Sequence, residues 1–109
     1  MPIATANITT TVGNAYVSNG NTAITFLSLC NYSAGNVTAN IYAVPSGGTA
    51  GNSNIIISAL ELTAAGAGTG DTYQIYSGNE KLLLSNGDTI QIDASANSAI
   101  TTVTSYTTI

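Results

Sequence analysis

NVTANIYAV, from Asn36 to Val44, alternates: Val37, Ala39, Ile41 and Ala43 are apolar, and Thr38, Asn40 and Tyr42 stand between them. Successive side chains of an extended chain point to opposite faces, so this is a strand with one face on a core and the other turned outward. Ile90, Ile92 and Ala94 alternate with Thr89, Gln91 and Asp93 in the same way. Further runs rich in β-branched residues extend from Ile3 to Val12, Ala15 to Val17, Thr22 to Asn31, Asn54 to Leu62, Asp71 to Tyr76, Lys81 to Leu84, Asp88 to Ala94 and Ala99 to Thr107. Turn formers separate them at Gly13-Asn14, Asn19-Gly20-Asn21, Ser33 to Gly35, Ser77-Gly78-Asn79 and Asn86-Gly87. Short strands at this spacing predict an all-β antiparallel sandwich of about eight strands, Ig-like or jelly-roll-like.

NIIISALEL, Asn54 to Leu62, is the one ambiguous run. Capped by Ser53 or Asn54 it could form a short helix, but three consecutive Ile stiffen χ1 and nine residues make a marginal helix, so a strand is expected. Its flanks, PSGGTAGNSN from Pro45 and TAAGAGTG from Thr63, hold six of the eleven glycines and are expected to be exposed loops. The expected core contains Ile24, Phe26, Val37, Ile41, Ile57, Leu82, Leu84, Ile90, Ile92 and Ile100, with Cys30 as a small buried apolar side chain.

The chain of 109 residues has room for one domain, divided here into an N-terminal assembly arm or edge strand, residues 1–12, and a sandwich, residues 13–109. From Met1 to Leu60 it carries no charged side chain, and all six charges fall between Glu61 and Asp93. An ordinary chain is about a quarter charged, and a free monomer uses interspersed charge to stay unassociated. The neutral stretch therefore predicts a surface built to be covered by neighbours.

Composition also narrows the chemistry. Lys81 is the only side-chain cation and the net charge is -4, so no basic face exists for nucleic acid or an anionic membrane. No apolar run approaches the ~20 residues of a spanning helix, and MPIATANITT lacks the basic and apolar regions of a signal peptide. The absence of His removes the commonest general base and metal ligand, and Lys81 beside Glu80 reads as a surface pair. The five carboxylates could supply a glycosidase-type pair, for instance Asp88 with Asp71 or Asp93, and Asp71 with Asp88 could hold calcium adventitiously. Both aspartates open a repeated hexapeptide, Gly70-Asp71-Thr72-Tyr73-Gln74-Ile75 and Gly87-Asp88-Thr89-Ile90-Gln91-Ile92, where capping of a turn explains them more simply. The expectation is a protein that is not an enzyme and takes no cofactor. Triplets at Asn7, Asn31 and Asn36 match the N-glycosylation pattern no more often than twelve Asn would by composition.

The run Leu29-Cys30-Asn31-Tyr32-Ser33, then Val37-Thr38, Ile41-Tyr42 and Val44-Pro45-Ser46-Gly47-Gly48-Thr49-Ala50-Gly51, then Gly70-Asp71-Thr72-Tyr73, Lys81-Leu82 and Gly87-Asp88-Thr89-Ile90-Gln91, resembles small virion proteins of tailed bacteriophages. The resemblance covers about Thr22 to Ile109, although the turn before Gly70-Asp71-Thr72-Tyr73 is longer here than in those proteins. It implies a compact β-sandwich without catalytic residues: a capsid decoration (cement) protein, or alternatively a tail, neck or fibre-associated subunit. It further implies a homo-oligomer, expected to be a trimer, bound to the major capsid protein or other virion proteins, in a virion assembled in the bacterial host cytoplasm. A glycan-binding module using exposed Tyr and Asn is the alternative from another class.

Ile3, Ile8, Thr10, Val12, Tyr32 and Tyr42 are the candidate interface residues. The first four lie in a neutral segment with no Lys or internal Pro to blunt an edge, so it suits pairing with a neighbouring chain. Loss of residues 1–12 is accordingly expected to leave a folded subunit that does not assemble. Tyr32 lies in a turn and Tyr42 on the polar face opposite Ile41, where aromatic rings with a polar tip can anchor a contact.

Overall fold

The structure, a computed structural model, describes residues 3–66, 71–75 and 82–109. These form nine strands: β1 (Ile3–Ile8), β2 (Gly13–Val17), β3 (Thr22–Asn31), β4 (Val37–Val44), β5 (Ile55–Leu62), β6 (Thr72–Ile75), β7 (Leu82–Leu84), β8 (Thr89–Ala94) and β9 (Ile100–Thr108). There is no α-helix among the described residues, and NIIISALEL is a strand. Gly13 and Asn14, expected to form a turn, instead open β2, because they pair with Ile92 and Gln91 of β8. Lys81 and the turn from Ser77 to Asn79 lie outside the described residues.

Two antiparallel sheets pack face to face. Sheet I has the order β1-β9-β3-β6, with β7 also pairing β3, and sheet II the order β2-β8-β4-β5. Leu27 to Cys30 of β3 pair with β6 and Thr22 to Ile24 pair with β7, so β6 and β7 share one edge position. Eight positions result. The chain crosses between sheets at every connection except β4–β5 and β6–β7, and two sheets wound by such crossings in this order are a jelly roll.

Alternation selects the core. Val37, Ala39 and Ile41 of β4 and Ile90, Ile92 and Ala94 of β8 face inward from sheet II, and meet Ile24, Leu27, Leu29 and Ile100 of sheet I. Ile24, Val37, Ile41, Leu84, Ile90, Ile92 and Ile100 are buried as the pattern predicts, while Ile57 and Leu82 pack on the cluster half-buried. Tyr16 and Tyr106 close one part of the core, with ring centroids 4.6 Å apart.

Phe26 and Cys30 are corrections. A bulge between Ile24 and Phe26 adds one residue to β3 relative to β9. With a side-chain period of two, one extra residue exchanges the faces, so Leu27, Leu29 and Asn31 turn in, and Phe26, Ser28 and Cys30 turn out. Cys30 is therefore half-buried on the outer face, where Thr72 Oγ1 lies 3.8 Å from its Sγ.

A second bulge shapes β5. Ala39 pairs with Leu60 and Ile41 with Ile57, so Ser58 and Ala59 together stand opposite Asn40. Ala59 adopts φ 54°, and its N–H donates to Asn40 Oδ1 at 2.8 Å. The left-handed region strains a residue with a Cβ, whereas glycine enters it freely. Ala59→Gly is expected to raise stability by about 0.5 to 1 kcal/mol, the relieved strain less the added unfolded-state entropy of glycine. Equilibrium denaturation checks this; a loss of stability would mean that the bulge is not strained.

Candidate interaction surface

The outer face of sheet I is built by the inward positions of its own strands. Because Ala4, Ala6 and Ile8 of β1 turn toward the core, Ile3, Thr5 and Asn7 turn out. They lie opposite Ser105, Val103 and Thr101 of β9, beyond which stand Phe26, Ser28 and Cys30 of β3 and then Thr72 and Gln74 of β6. Leu83 of β7 ends the face, 66% exposed, and Ile3 begins it, 61% exposed. None of the described side chains on this face is charged.

Every described carboxylate lies elsewhere. Glu61 on β5 and Asp93 on β8 project from sheet II, each opposite an outward residue of β4, Thr38 and Asn40 respectively. Asp88 closes the turns around it, accepting from Ser46 N through Oδ1 and from Ser85 N through Oδ2, both at 2.9 Å. Asp71 accepts from Gly66 N at 3.3 Å. The two hexapeptide copies thus share a turn cap, but one enters an edge strand of sheet I and the other a central strand of sheet II.

The carboxylate pairs weighed for catalysis or calcium do not meet. Asp71 precedes Thr72, which pairs with Cys30 at one end of β3; Asp88 follows Gly87, which donates to Ser18 O near the other end. Eight strand residues separate those ends, roughly 26 Å. Asp88 and Asp93 bracket β8, five residues or roughly 17 Å apart, well beyond the roughly 5 to 9.5 Å of glycosidase pairs. No group of three potential metal-ligating side chains occurs among the described residues.

The six candidate interface residues are dispersed. Ile3 and Tyr32 share the outer face of sheet I, where the Tyr32 hydroxyl donates to Asn7 Oδ1 at 3.1 Å. Thr10 and Val12 are exposed in the β1–β2 connection, with Thr10 N donating to Asn97 Oδ1. Ile8 is a correction: it is 4% exposed and belongs to the core, because β1 keeps its register with β9 to the end. Residues 3–8 are accordingly bound into sheet I of their own subunit, Thr9 O accepts from Ala94 N of β8 in sheet II, and loss of this strand would take Ile8 from the core as well as an edge from the surface.

Tyr42 lies on the other sheet. Its hydroxyl donates to Asp93 Oδ2 at 3.3 Å, and Asn40 Nδ2 donates to Asp93 Oδ1 at 2.8 Å. The polar tips that a glycan would engage here are already turned toward one another. Partial loss of hydration, and then the Asp93 carboxylate, hold the Tyr42 phenol above its ordinary value. A tyrosine whose folded-state pKa is raised contributes stability that is complete below about pH 10 and lost as pH rises through the folded value. Tyr42→Phe should therefore flatten the alkaline fall in stability while changing it little at pH 7; an unchanged profile above pH 10 would place the titrating group elsewhere.

Phe26 and Cys30 are the members of the outer face of sheet I that alternation counted from Ile24 could not place, since the bulge moves both across the sheet. Fold and surface together define a jelly-roll sandwich in which, among the described residues, one face is uncharged and the side-chain carboxylates lie on the other sheet and in the turns. No protein-family model, no curated protein and no solved structure matches this chain. No helix among the described residues is long and apolar enough to cross a membrane.

Proposed function

We propose that the protein is a non-enzymatic structural subunit of a virion, a capsid decoration protein of a tailed bacteriophage that stabilises the head by holding neighbouring capsid proteins. The observation that carries this reading is the outer face of sheet I, uncharged among the described residues, which runs from Ile3 across Phe26 to Leu83. A permanent subunit works by area and symmetry, and a face without charge can be desolvated against a neighbour without stranding an unpaired ion. The sequence resemblance to phage virion proteins supports the same reading. It supplies the partner, the major capsid protein or another virion protein, and the place, a particle assembled in the bacterial cytoplasm.

Attachment through this face rests on apolar area and neutral hydrogen bonds. Salt screens charges within about 3 Å at 1 M and finds little to act on here, whereas urea solvates apolar and peptide groups alike. Particles washed in 1 M NaCl should keep the protein, and particles washed in urea should lose it. With no His in the chain, retention should also be flat between pH 5 and 8. Release by NaCl alone would show that carboxylates hold it to a basic partner. Copy number and position by electron microscopy test the rest: copies spread over the shell fit decoration, and a few near the portal fit a tail or neck subunit.

A further inference from the structure

An open sheet edge presents unpaired N–H and C=O groups, and proteins blunt such edges with bulges, charge, proline or brevity. Among the described residues, three of the four edges are blunted. β2 has five residues and a bulge between Asn14 and Tyr16. β5 is broken by the bulge at Ala59 and carries Glu61. The far edge of sheet I is divided between β6, four residues, and β7, three residues. β1 has none of these devices: its six residues keep unbroken register with β9, from Ile3 opposite Ser105 to Ile8 opposite Ile100, without charge, proline or bulge.

We infer that the free edge of β1 pairs antiparallel with β1 of a second copy of this chain, across a two-fold axis near Thr5 and Ala6, so that two sheets I become one continuous sheet. This rests on reading the protein as an assembly subunit, and it names the occupant of one of its surfaces. Charge admits a second copy at this edge. With a net charge of -4, two copies repel wherever their acids face, but of the described acids Glu61 and Asp71 belong to the β5 and β6 flank, Asp88 and Asp93 lie before and on β8 in sheet II, and none lies on β1 or on its sheet neighbour β9. The strands β1 and β2 carry no charged side chain.

The strand is also complementary to itself. Centred on Thr5, the pairing sets Ala4 against Ala6 and Ile3 against Asn7; centred on Ala6, it sets Thr5 against Asn7 and Ala4 against Ile8. Opposed residues then differ by an even number, so outward side chains remain outward and the neutral face continues across the junction. No pair opposes two bulky side chains or two like charges. An isologous contact closes at two copies, in place of the trimer expected from the sequence, and consumes the one unguarded edge rather than passing it on.

The test is the mass of the isolated protein by light scattering, at concentrations up to about 100 µM so that a weak dimer is populated. Twice the 10.9 kDa chain mass is expected. Thr5→Lys sets two ammonium groups together at the axis from an exposed position, and should give a monomer with unchanged circular dichroism and a melting temperature that, unlike the parent's, does not rise with protein concentration. Leu83→Lys, on the opposite flank, should remain dimeric. Amides of β1 should exchange about tenfold more slowly in the parent dimer than in the Thr5→Lys monomer. A monomeric parent, a trimer, or a dimer that Thr5→Lys leaves intact overturns the inference. A monomer that still survives the salt wash on particles overturns this contact alone and leaves the subunit reading standing; a dimer missing from particles supports the contact and removes that reading.

Discussion

Asn31→Ala is expected to lose roughly 2 to 4 kcal/mol of folding stability, because it removes a fully buried amide and leaves one buried and two part-buried carbonyls without their donor. Asn31 is fully buried at the end of β3, opposite Ile100. Its Nδ2 donates to Gly35 O at 2.9 Å, Leu62 O at 3.0 Å and Thr63 O at 2.9 Å, so three acceptors share two hydrogens. Its Oδ1 accepts from Ser33 N at 2.9 Å and from Ser33 Oγ at 2.7 Å. One amide thus fixes the β3–β4 turn and ties sheet I to the end of β5 in sheet II. Asn31→Asp sharpens the test. At neutral pH its carboxylate would face three carbonyl oxygens and lose at least as much stability, with partial recovery in acid, where a protonated carboxyl donates one hydrogen bond. Denaturant titrations at two pH values measure both; a loss under about 1 kcal/mol for Ala would mean that the carbonyls find other donors.

Ile92→Ala is expected to lose roughly 2 to 5 kcal/mol, as a large-to-small change in a core that cannot fully collapse around the gap. Ile92 is 1% exposed in β8, flanked by Ile41 on β4 and by Gly13 on β2. Gly13 has no side chain to move into the space. Phe26→Ala is the companion measurement. Counted from Ile24 by strict alternation Phe26 would be core and equally costly, but the bulge turns it out, and it should lose under about 1.5 kcal/mol. Equal losses at the two positions would show that β3 keeps its register through Thr25.

The alternation of Val37 to Ala43 and of Thr89 to Ala94 was sufficient to declare β4 and β8 half-buried strands with Val37, Ala39, Ile41, Ile90, Ile92 and Ala94 inward, because neither strand is bulged against the other. The β-branched run at Ile55 to Ile57 likewise declared a strand. Asp71 and Asp88 announced their turns, since a carboxylate caps a backbone N–H a few residues away, an interaction local enough to be written in the sequence. The unbroken neutrality from Met1 to Leu60 was also legible, and so was the expectation that part of the surface is meant to be covered.

The location of the uncharged face seen among the described residues was not legible. Ile3 and Tyr32 fall on it, but Ile8 enters the core, Thr10 and Val12 sit in a corner, and Tyr42 serves the other sheet. Two tertiary decisions made the difference. The bulge before Phe26 depends on how β3 matches β9, some eighty residues later in the chain, and no local pattern records it. The crossings that place β1 beside β9 and β2 beside β8 send two adjacent segments to different sheets. Side-chain period is a property of one strand and is written in its residues. Register and sheet membership are properties of pairs, settled by which distant strands bury their apolar faces together.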